Sequence, residues 1–258
     1  MTALYEARSV SKRYGSVVAL RDVNFQVNRG EVVGLVGDNG AGKSTLVKIL
    51  SGAHPPDSGQ IFLEGKRQTW HSPREAIEAG VETLYQDSSL APDLSVSANL
   101  FLGREKLKPG ILKLMGFLAS KQMDAVAQAE LESIGIAVPP SGRTVFELSG
   151  GQRQAVAIGR AVSWASQVIL LDEPTNHLGA RQSAEVLAVI RQARHRGLAV
   201  VLISHTLPHV LEVTDRIVVL RLGRVVADAP STTFTGDSLV RAITGLNQSQ
   251  TSDQGGQS

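Results

Sequence analysis

Cysteine is absent from the 258 residues of this chain. A chain without cysteine forms no disulfide scaffold and no cysteine-ligated zinc site, and it fits a reducing compartment. An excess of charge of one sign is lacking as well, because 26 lysine and arginine residues stand against 24 aspartate and glutamate residues, a net charge of +2. So small a surplus gives nucleic-acid binding little support, and we expect no nucleic-acid partner.

Long apolar runs are also missing, since none reaches the roughly 18–20 residues that a membrane-spanning helix needs. The longest candidates, residues 168–171 and 198–203, are short and rich in Val, Ile and Leu. They predict buried parallel strands. Residues 1–11 lack an apolar stretch of signal-peptide length. We therefore expect a cytoplasmic protein that reaches a membrane only through a partner.

Hydropathy and turn signals predict an α/β core that is interrupted by a helical region. Residues 4–36 predict several strands, the last of them over 31–36, and residues 43–50 predict a helix after a glycine-rich loop. Residues 87–165 are rich in Ala, Leu and Gln and predict helices, the clearest over 121–134. The remaining predicted elements of the core cover residues 61–63, 66–70, 81–85, 168–171, 181–196, 198–203, 217–221 and 224–229.

The start of one core helix is marked by its own pattern. Ser72, Pro73 and Glu75 match a capping box with proline at the first helical position. The pattern predicts a helix that begins there and ends at Gly80.

The elements together predict a single domain over residues 1–246. Its core comprises about 1–86 and 166–246, and its helical subdomain comprises about 87–165. Residues 247–258 contain no apolar residue, and we expect them to be a disordered tail.

A glycine-rich stretch between the strand 31–36 and the helix 43–50 fits the pattern G-x-x-x-x-G-K-[ST]. Glycines allow the backbone to wrap a phosphate chain, and the helix N-terminus adds unpaired N–H groups. We expect Lys43 to reach the β- and γ-phosphates and the hydroxyl of Ser44 to ligate Mg²⁺. A glycine-rich turn without a ligand is the alternative. The stretch comprises Gly37, Asp38, Asn39, Gly40, Ala41, Gly42, Lys43, Ser44 and the following Thr45.

Two adjacent acids, Asp172 and Glu173, follow the buried-strand pattern at 168–171. The carboxyl end of a parallel strand lies in the ligand crevice of an open α/β sheet. We expect Asp172 to hold Mg²⁺ and Glu173 to orient or deprotonate the attacking water. A solvated loop after a strand is the alternative.

Motifs of these two kinds occur in kinases, GTPases, helicases and transport ATPases, and a third motif distinguishes among them. Residues 148–152 read Leu-Ser-Gly-Gly-Gln and continue with Arg153 and Gln154. This stretch resembles the signature sequence of the ATP-binding cassette (ABC) family, and the resemblance covers nearly all of residues 4–245. It implies ATP and Mg²⁺ as ligands and ATP hydrolysis as the activity. It also implies a P-loop NTPase fold, in which a parallel-sheet core carries an N-terminal antiparallel β subdomain and an inserted α-helical subdomain.

Three further residues resemble functional positions of that family. Gln86, after the predicted strand 81–85, resembles the glutamine that ligates Mg²⁺ and moves with its loop. His205, after the strand 198–203, resembles the histidine that contacts the γ-phosphate and orients water. Tyr14 resembles the aromatic residue that stacks on adenine. Each of the three taken alone is more often an ordinary surface or core residue, but their order and spacing around the other motifs favour the functional interpretation.

Ser149, Gly150, Gly151 and Gln152 precede a strongly helical segment, residues 153–162. The chain therefore has a second helix N-terminus that suits an anion. The resemblance implies that two cassettes pack head to tail, so that these residues of one copy close the nucleotide site of the other. A second copy of the chain is thus an expected partner. The alternative is that the stretch only caps a structural helix.

One position departs from the family's pattern. After residues 173–175 the family usually has Ser-Ala-Leu-Asp, whereas residues 176–179 here are Asn-His-Leu-Gly. Gly179 lacks the carboxylate that usually contacts the partner's phosphate loop, which bears on communication between the two sites or on the hydrolysis rate. Because glycine recurs there in sugar-importer cassettes, we still expect an active enzyme.

Residues 37–42, 72–76, 80–87 and 100–105 resemble ATPases of bacterial monosaccharide importers of the ribose, xylose and fructose type. That resemblance implies permease subunits in the inner membrane as partners, a periplasmic sugar-binding protein as an indirect partner, and a place at the cytoplasmic face. Residues 87–105 are expected to dock a permease helix. We expect some of their apolar residues to be exposed and others to lie in the core, with residues 90–94 the more exposed.

Three other functions stay open at the level of sequence. A soluble ABC ATPase that acts on the ribosome or on nucleic acid is disfavoured by the single cassette and the balanced charge. A GTPase is disfavoured because the chain has no Asn-Lys-x-Asp motif. A non-hydrolysing structural module is disfavoured because Lys43, Asp172, Glu173 and His205 are all present.

Overall fold

A computed structural model describes residues 3–86, 90–137 and 143–246, which form a mixed α/β fold with two sheets. The strands are β1 (Tyr5–Tyr14), β2 (Val17–Val27), β3 (Val32–Gly37), β4 (Ser58–Leu63), β5 (Lys66–Gln68), β6 (Val81–Leu84), β7 (Val168–Asp172), β8 (Ala199–Ile203), β9 (Arg216–Arg221) and β10 (Arg224–Pro230). The helices are α1 (Lys43–Leu50), α2 (Pro73–Glu78), α3 (Val96–Leu100), α4 (Ile111–Leu114), α5 (Ser120–Ser133), α6 (Gly150–Trp164), α7 (Ala180–His195), α8 (Leu207–Val213) and α9 (Gly236–Thr244).

The larger sheet has the strand order β10-β9-β3-β8-β7-β6. All neighbours in it are parallel except the edge hairpin of β9 and β10. Every residue of β3 and of β8 is buried, as the continuous Val, Ile and Leu runs predict for strands covered on both faces. This order places the carboxyl ends of β3, β7 and β8 side by side at one edge of the sheet, where ligands of such folds bind.

The smaller sheet is antiparallel and has the order β2-β1-β4-β5. Its inner face packs on α1 and on the large sheet through one hydrophobic core that contains Tyr5, Phe25, Leu46 and Val201. The hydroxyl of Tyr5 donates a hydrogen bond to the carbonyl oxygen of Leu50 and so ties β1 to the end of α1. This packing holds the start of α1 against β2.

The helical region shares a core with the other face of the large sheet rather than folding around a core of its own. Phe101, Leu131, Ile158 and Ile169 belong to one buried cluster that runs from α5 and α6 into β7. Phe101 packs edge-on against Trp164, with their ring centroids 5.3 Å apart. The position of α6 is therefore set by the sheet that also carries Asp172 in β7.

The structure confirms the predicted elements and corrects one predicted helix cap. The helix predicted over 43–50 has those bounds, and the other elements agree within a few residues. The predicted capping box is wrong, because the side chain of Ser72 makes no capping hydrogen bond in the described structure. Glu75 instead accepts a hydrogen bond of 3.0 Å from the backbone N–H of His71. Pro73 does occupy the first helical position.

The predicted docking segment 87–105 is described from residue 90 onward. Its apolar residues are mixed as predicted: Val96, Leu100 and Phe101 are buried, whereas Leu94 and Leu102 are exposed. The prediction that residues 90–94 are the more exposed is wrong, because Leu90 packs partly buried against the core and Leu102 is more exposed than Leu94. Residues 87–89 and the predicted tail 247–258 lie outside the described residues. Throughout the described ranges, no helix has both the length and the apolar character that crossing a bilayer requires.

Candidate nucleotide-binding site

The loop between β3 and α1 owes its shape to glycines. Gly42 has φ +107°, and a Cβ atom there would lie 2.5 Å from the carbonyl oxygen of Ala19. A Cβ atom on Gly37 would lie 2.2 Å from the carbonyl oxygen of Leu220. These positions therefore exclude any side chain, and the loop closes directly on β2 and β9. The close packing leaves the N-terminus of α1 open toward the cleft described below.

Lys43 folds back over this loop. Its side chain is buried, and Nζ donates to the carbonyl oxygens of Gly37 at 2.7 Å and of Asp38 at 3.0 Å. Burial lowers the pKa of Lys43, and the carboxylates of Glu173 and Asp172 oppose that shift. The ammonium group is thus held within the loop, where anionic phosphate oxygens would replace carbonyl partners.

The carboxylates of Asp172 and Glu173 stand at the end of β7, as predicted. The backbone N–H of Glu173 donates to the carbonyl oxygen of Ile203 at 2.9 Å, which extends the pairing with β8 by one residue. Glu173 has φ +54°, a left-handed conformation that is uncommon for a residue with a side chain. Strain of this kind collects at functional sites, where the surrounding packing maintains it.

Glu173 faces His205 at the end of β8. The backbone N–H of His205 donates to Oε2 of Glu173 at 3.2 Å, and Nε2 of His205 lies 3.1 Å from Oε1. The contact between Nε2 and Oε1 does not have the geometry of a hydrogen bond. Oε1 is buried, and it accepts no hydrogen bond from the described part of the chain. A buried oxygen without a donor is costly, and a water molecule is a suitable partner for it.

Burial governs the electrostatics of both acids. It raises the pKa of Glu173, although His205 opposes the shift, and it raises the pKa of Asp172, where Lys43 opposes it. A carboxylate whose pKa lies above its usual range is a stronger base when ionised. The environment of the two acids is therefore compatible with a role for Asp172 in balancing a cation and for Glu173 in accepting a proton.

Most predicted residues of the phosphate loop meet those of the strand ends in one cleft of about 400 Å³. Sequence reasoning missed part of its lining, namely Val17, Val18 and Ala19 at the start of β2 and Ile203 in β8. The apolar residues 17–19, which follow the Tyr14–Gly15 turn, were the sequence feature that could have indicated this part of the lining. The predicted residues that line the cleft are Asn39, Gly40, Ala41, Gly42, Lys43, Ser44, Thr45, Gln86, Asp172, Glu173 and His205.

Other predicted residues do not line this cleft. Gly37 and Asp38 contribute backbone to the loop through their bonds to Lys43. Tyr14 lies on the exposed end of β1, where its hydroxyl is 2.6 Å from Nδ1 of His54. Its adenine-stacking role remains a prediction.

The signature residues 149–152 are also absent from the cleft lining. Ser149 is the N-cap of α6, with Oγ accepting from the backbone N–H of Gln152 at 3.3 Å and the side chain of Gln152 accepting from the N–H of Ser149 at 3.0 Å. Ser149, Gly150 and Gln152 are exposed. The stretch therefore caps α6, and its exposed residues lie outside the cleft of their own chain.

Gln182 connects this helix to the turn at Gly179. Its Oε1 accepts a hydrogen bond of 3.0 Å from the backbone N–H of Gly179. Its side chain also covers Gly151, where a Cβ atom would lie 2.6 Å from Cδ of Gln182. A side chain at 151 would therefore displace the side chain of Gln182 from this position.

Comparisons with known proteins identify this arrangement. A family model described as ABC transporter matches residues 20–176. The chain is 46% identical over 244 residues to the fructose import ATP-binding protein of Rhizobium meliloti, covering 94% of each. It is 45% identical over 226 residues to the xylose/arabinose import ATP-binding protein of Sulfolobus acidocaldarius, covering 88% of each.

A solved dimeric ATP-binding cassette in a post-hydrolysis state, bound to ADP and Pi, is similar in fold. Its TM-score is 0.73 at 23% identity, over 88% of this chain and 98% of that chain. The fold, the phosphate loop with its carboxylate pair, and the family match agree, and the chain belongs to the ABC transporter family.

Proposed function

We propose that this chain is the ATP-hydrolysing subunit of an importer that energises the uptake of a monosaccharide. The observation that carries the proposal is the cleft in which Lys43, Ser44, Asp172, Glu173 and His205 meet. The relatives described above, named for the import of fructose and of xylose or arabinose, support the sugar as substrate class.

The residues of the cleft fit ATP with Mg²⁺. The hydroxyl of Ser44, the carboxylate of Asp172 and the side-chain oxygen of Gln86 line one space and are the oxygen ligands that Mg²⁺ prefers. The glycine loop excludes side chains where the backbone would wrap phosphates. When bound, Mg²⁺ would neutralise charge on the β- and γ-phosphates.

In this scheme Lys43 exchanges its carbonyl partners for phosphate oxygens and balances the negative charge that develops during phosphoryl transfer. The carboxylate of Glu173 accepts a proton from the water whose oxygen attacks the γ-phosphorus. The bond from the γ-phosphorus to the bridging oxygen breaks, and ADP leaves. His205, beside Glu173, holds the water and the γ-phosphate in line.

A second copy of the chain would complete the site. The signature helix N-terminus is exposed and faces no phosphate of its own chain's cleft, so its anion-binding groups are available to a partner. A solved cassette of similar fold is dimeric, which supports the pairing of two copies. ATP would then hold the two copies together, and hydrolysis would let them separate.

The remaining partners are permease subunits, contacted through residues 87–105, and a periplasmic sugar-binding protein that meets the permease. The chain would lie at the cytoplasmic face of the inner membrane. An action on ribosomes or nucleic acid is not favoured, since the relatives are import proteins and the net charge is only +2.

The test is reconstitution of the chain in vesicles with candidate permease subunits and a candidate sugar-binding protein. We expect ATP hydrolysis that rises with fructose, xylose or ribose together with uptake of the sugar, and no uptake with a Lys43→Ala chain. Hydrolysis that responds to ribosomes or RNA, but not to any sugar and binding protein, would overturn the proposal.

A further inference from the structure

A compact hairpin projects from the helical region between α3 and α5. We call residues 106–119, which include α4, the basic hairpin. Backbone bonds close its base, from the N–H of Ala119 to the oxygen of Lys106 at 2.7 Å and from the N–H of Lys108 to the oxygen of Phe117 at 2.8 Å. Another, from the N–H of Phe117 to the oxygen of Leu112 at 3.0 Å, closes its tip. The hairpin thus satisfies many of its own backbone groups.

The tip of the basic hairpin is apolar and faces outward. Leu114 is 89% exposed, Ile111 75% and Met115 64%, and Phe117 is also exposed. No residue of α4 is buried. Single exposed apolar residues are ordinary, but a contiguous patch of large ones marks an interaction surface.

The charge of this surface has one sign. Residues 106–119 contain three lysines, Lys106, Lys108 and Lys113, and no acidic residue. The chain as a whole is nearly neutral, so the hairpin concentrates positive charge next to apolar side chains. Lysines beside exposed Leu, Ile and Phe are the composition of segments that bind at a membrane interface.

We propose that the basic hairpin inserts its apolar tip into the headgroup region of a bilayer that contains anionic lipids. The lysines contact lipid phosphates, and the internal backbone bonds reduce the number of backbone groups that lose a hydrogen-bond partner when the tip leaves water. A second copy is a poorer occupant, because a two-fold contact would set lysines against lysines. The contact lies outside the nucleotide cleft and is independent of the proposed transport function.

Sedimentation of the purified full-length chain with lipid vesicles tests the proposal without nucleotide or permease. Vesicles of phosphatidylcholine and phosphatidylglycerol in equal parts are compared with vesicles of phosphatidylcholine alone, at low and high salt. We expect the chain to sediment with the anionic vesicles and to be released by salt, because exposed charges are screened.

Two double variants separate the apolar and the electrostatic contributions. Ile111→Gln with Leu114→Gln should weaken partitioning at least about tenfold. Lys108→Gln with Lys113→Gln should weaken it about 25-fold, at about fivefold for each lysine. The matched controls are Lys66→Gln and Leu222→Asn, at exposed positions of other hairpins, and they should bind like the unmodified chain. Unchanged melting temperatures confirm that the variants fold.

Four outcomes would overturn the proposal. The chain does not sediment with anionic vesicles more than with neutral ones, or the two hairpin variants sediment like the unmodified chain. If the chain does not bind vesicles but forms a dimer without nucleotide, and only the Ile111 and Leu114 variant loses that dimer, the surface belongs to a contact with a second copy. Binding that requires permease in the vesicle, whatever the lipid charge, assigns it to that protein.

Discussion

Glutamine in place of Glu173 tests whether this carboxylate is the base that activates water. The substitution preserves the length and shape of the side chain. A glutamine oxygen can still accept the bond of 3.2 Å from the backbone N–H of His205. The other carboxylate oxygen of Glu173 is buried and accepts no hydrogen bond within the described residues. In the variant, the amide NH₂ group would occupy the position of that oxygen. Leaving that amide unpaired costs about 1–3 kcal/mol, while a buried charge is removed, so the variant should fold.

The expected loss of turnover is much larger than the effect on stability. A positioned general base contributes about 100- to 10,000-fold to a rate. At 1.36 kcal/mol for each factor of ten, the barrier rises by roughly 3–5 kcal/mol. ATP binding should be retained, because Lys43 and Ser44 are unchanged. Bound ATP that is not hydrolysed should then accumulate in a dimer.

The assay is phosphate release at saturating ATP, combined with nucleotide titration and size-exclusion chromatography with ATP. Glu185→Gln is the matched control, since Glu185 pairs with Arg181 on the exposed face of α7, away from the cleft. The control should hydrolyse ATP normally. A Glu173→Gln chain that releases phosphate at the unmodified rate refutes the assignment of the base.

Three further predictions address the pH dependence of turnover, the contact of Tyr14 with adenine, and the start of the signature helix α6. Burial raises the pKa of Glu173, and a general base must be ionised, so kcat should begin to decline at a higher pH than it would with an ordinary glutamate as the base. A pH–rate profile in which kcat declines only at or below the usual pKa range of glutamate contradicts this. Tyr14→Phe should keep ATP affinity while Tyr14→Ala loses about 1–3 kcal/mol in a fluorescence titration; equal losses would assign the effect to the hydroxyl bond with His54 instead. Gly151→Ala should displace Gln182 from its bond to the backbone at Gly179 and weaken ATP-dependent dimerisation, with ATP binding to the single chain unchanged. Dimers of unchanged stability in analytical ultracentrifugation would show that this contact is unimportant.

Local patterns in the sequence were sufficient for the elements and for the residue types of the site. The phosphate loop, the acids after β7 and the capped start of α6 are each contained in fewer than about ten consecutive residues, so their signals need no tertiary context. The exception is Ser72, where the pattern of a capping box was present but Glu75 bonded to His71 instead. Caps depend on side-chain orientation, which neighbouring residues alone do not determine.

Only the tertiary structure decided which side chains share the cleft. The order β3-β8-β7 brings Lys43, His205 and Glu173 together although they are far apart in the chain. The packing of the smaller sheet on the larger one adds Val17 and Ala19 to the cleft. The left-handed backbone of Glu173, the packing of Gln182 on Gly151 and the outward apolar tip of the basic hairpin are likewise tertiary. A sequence pattern records whether a residue is apolar and how its neighbours repeat, whereas exposure and contact depend on which distant segments fold against it.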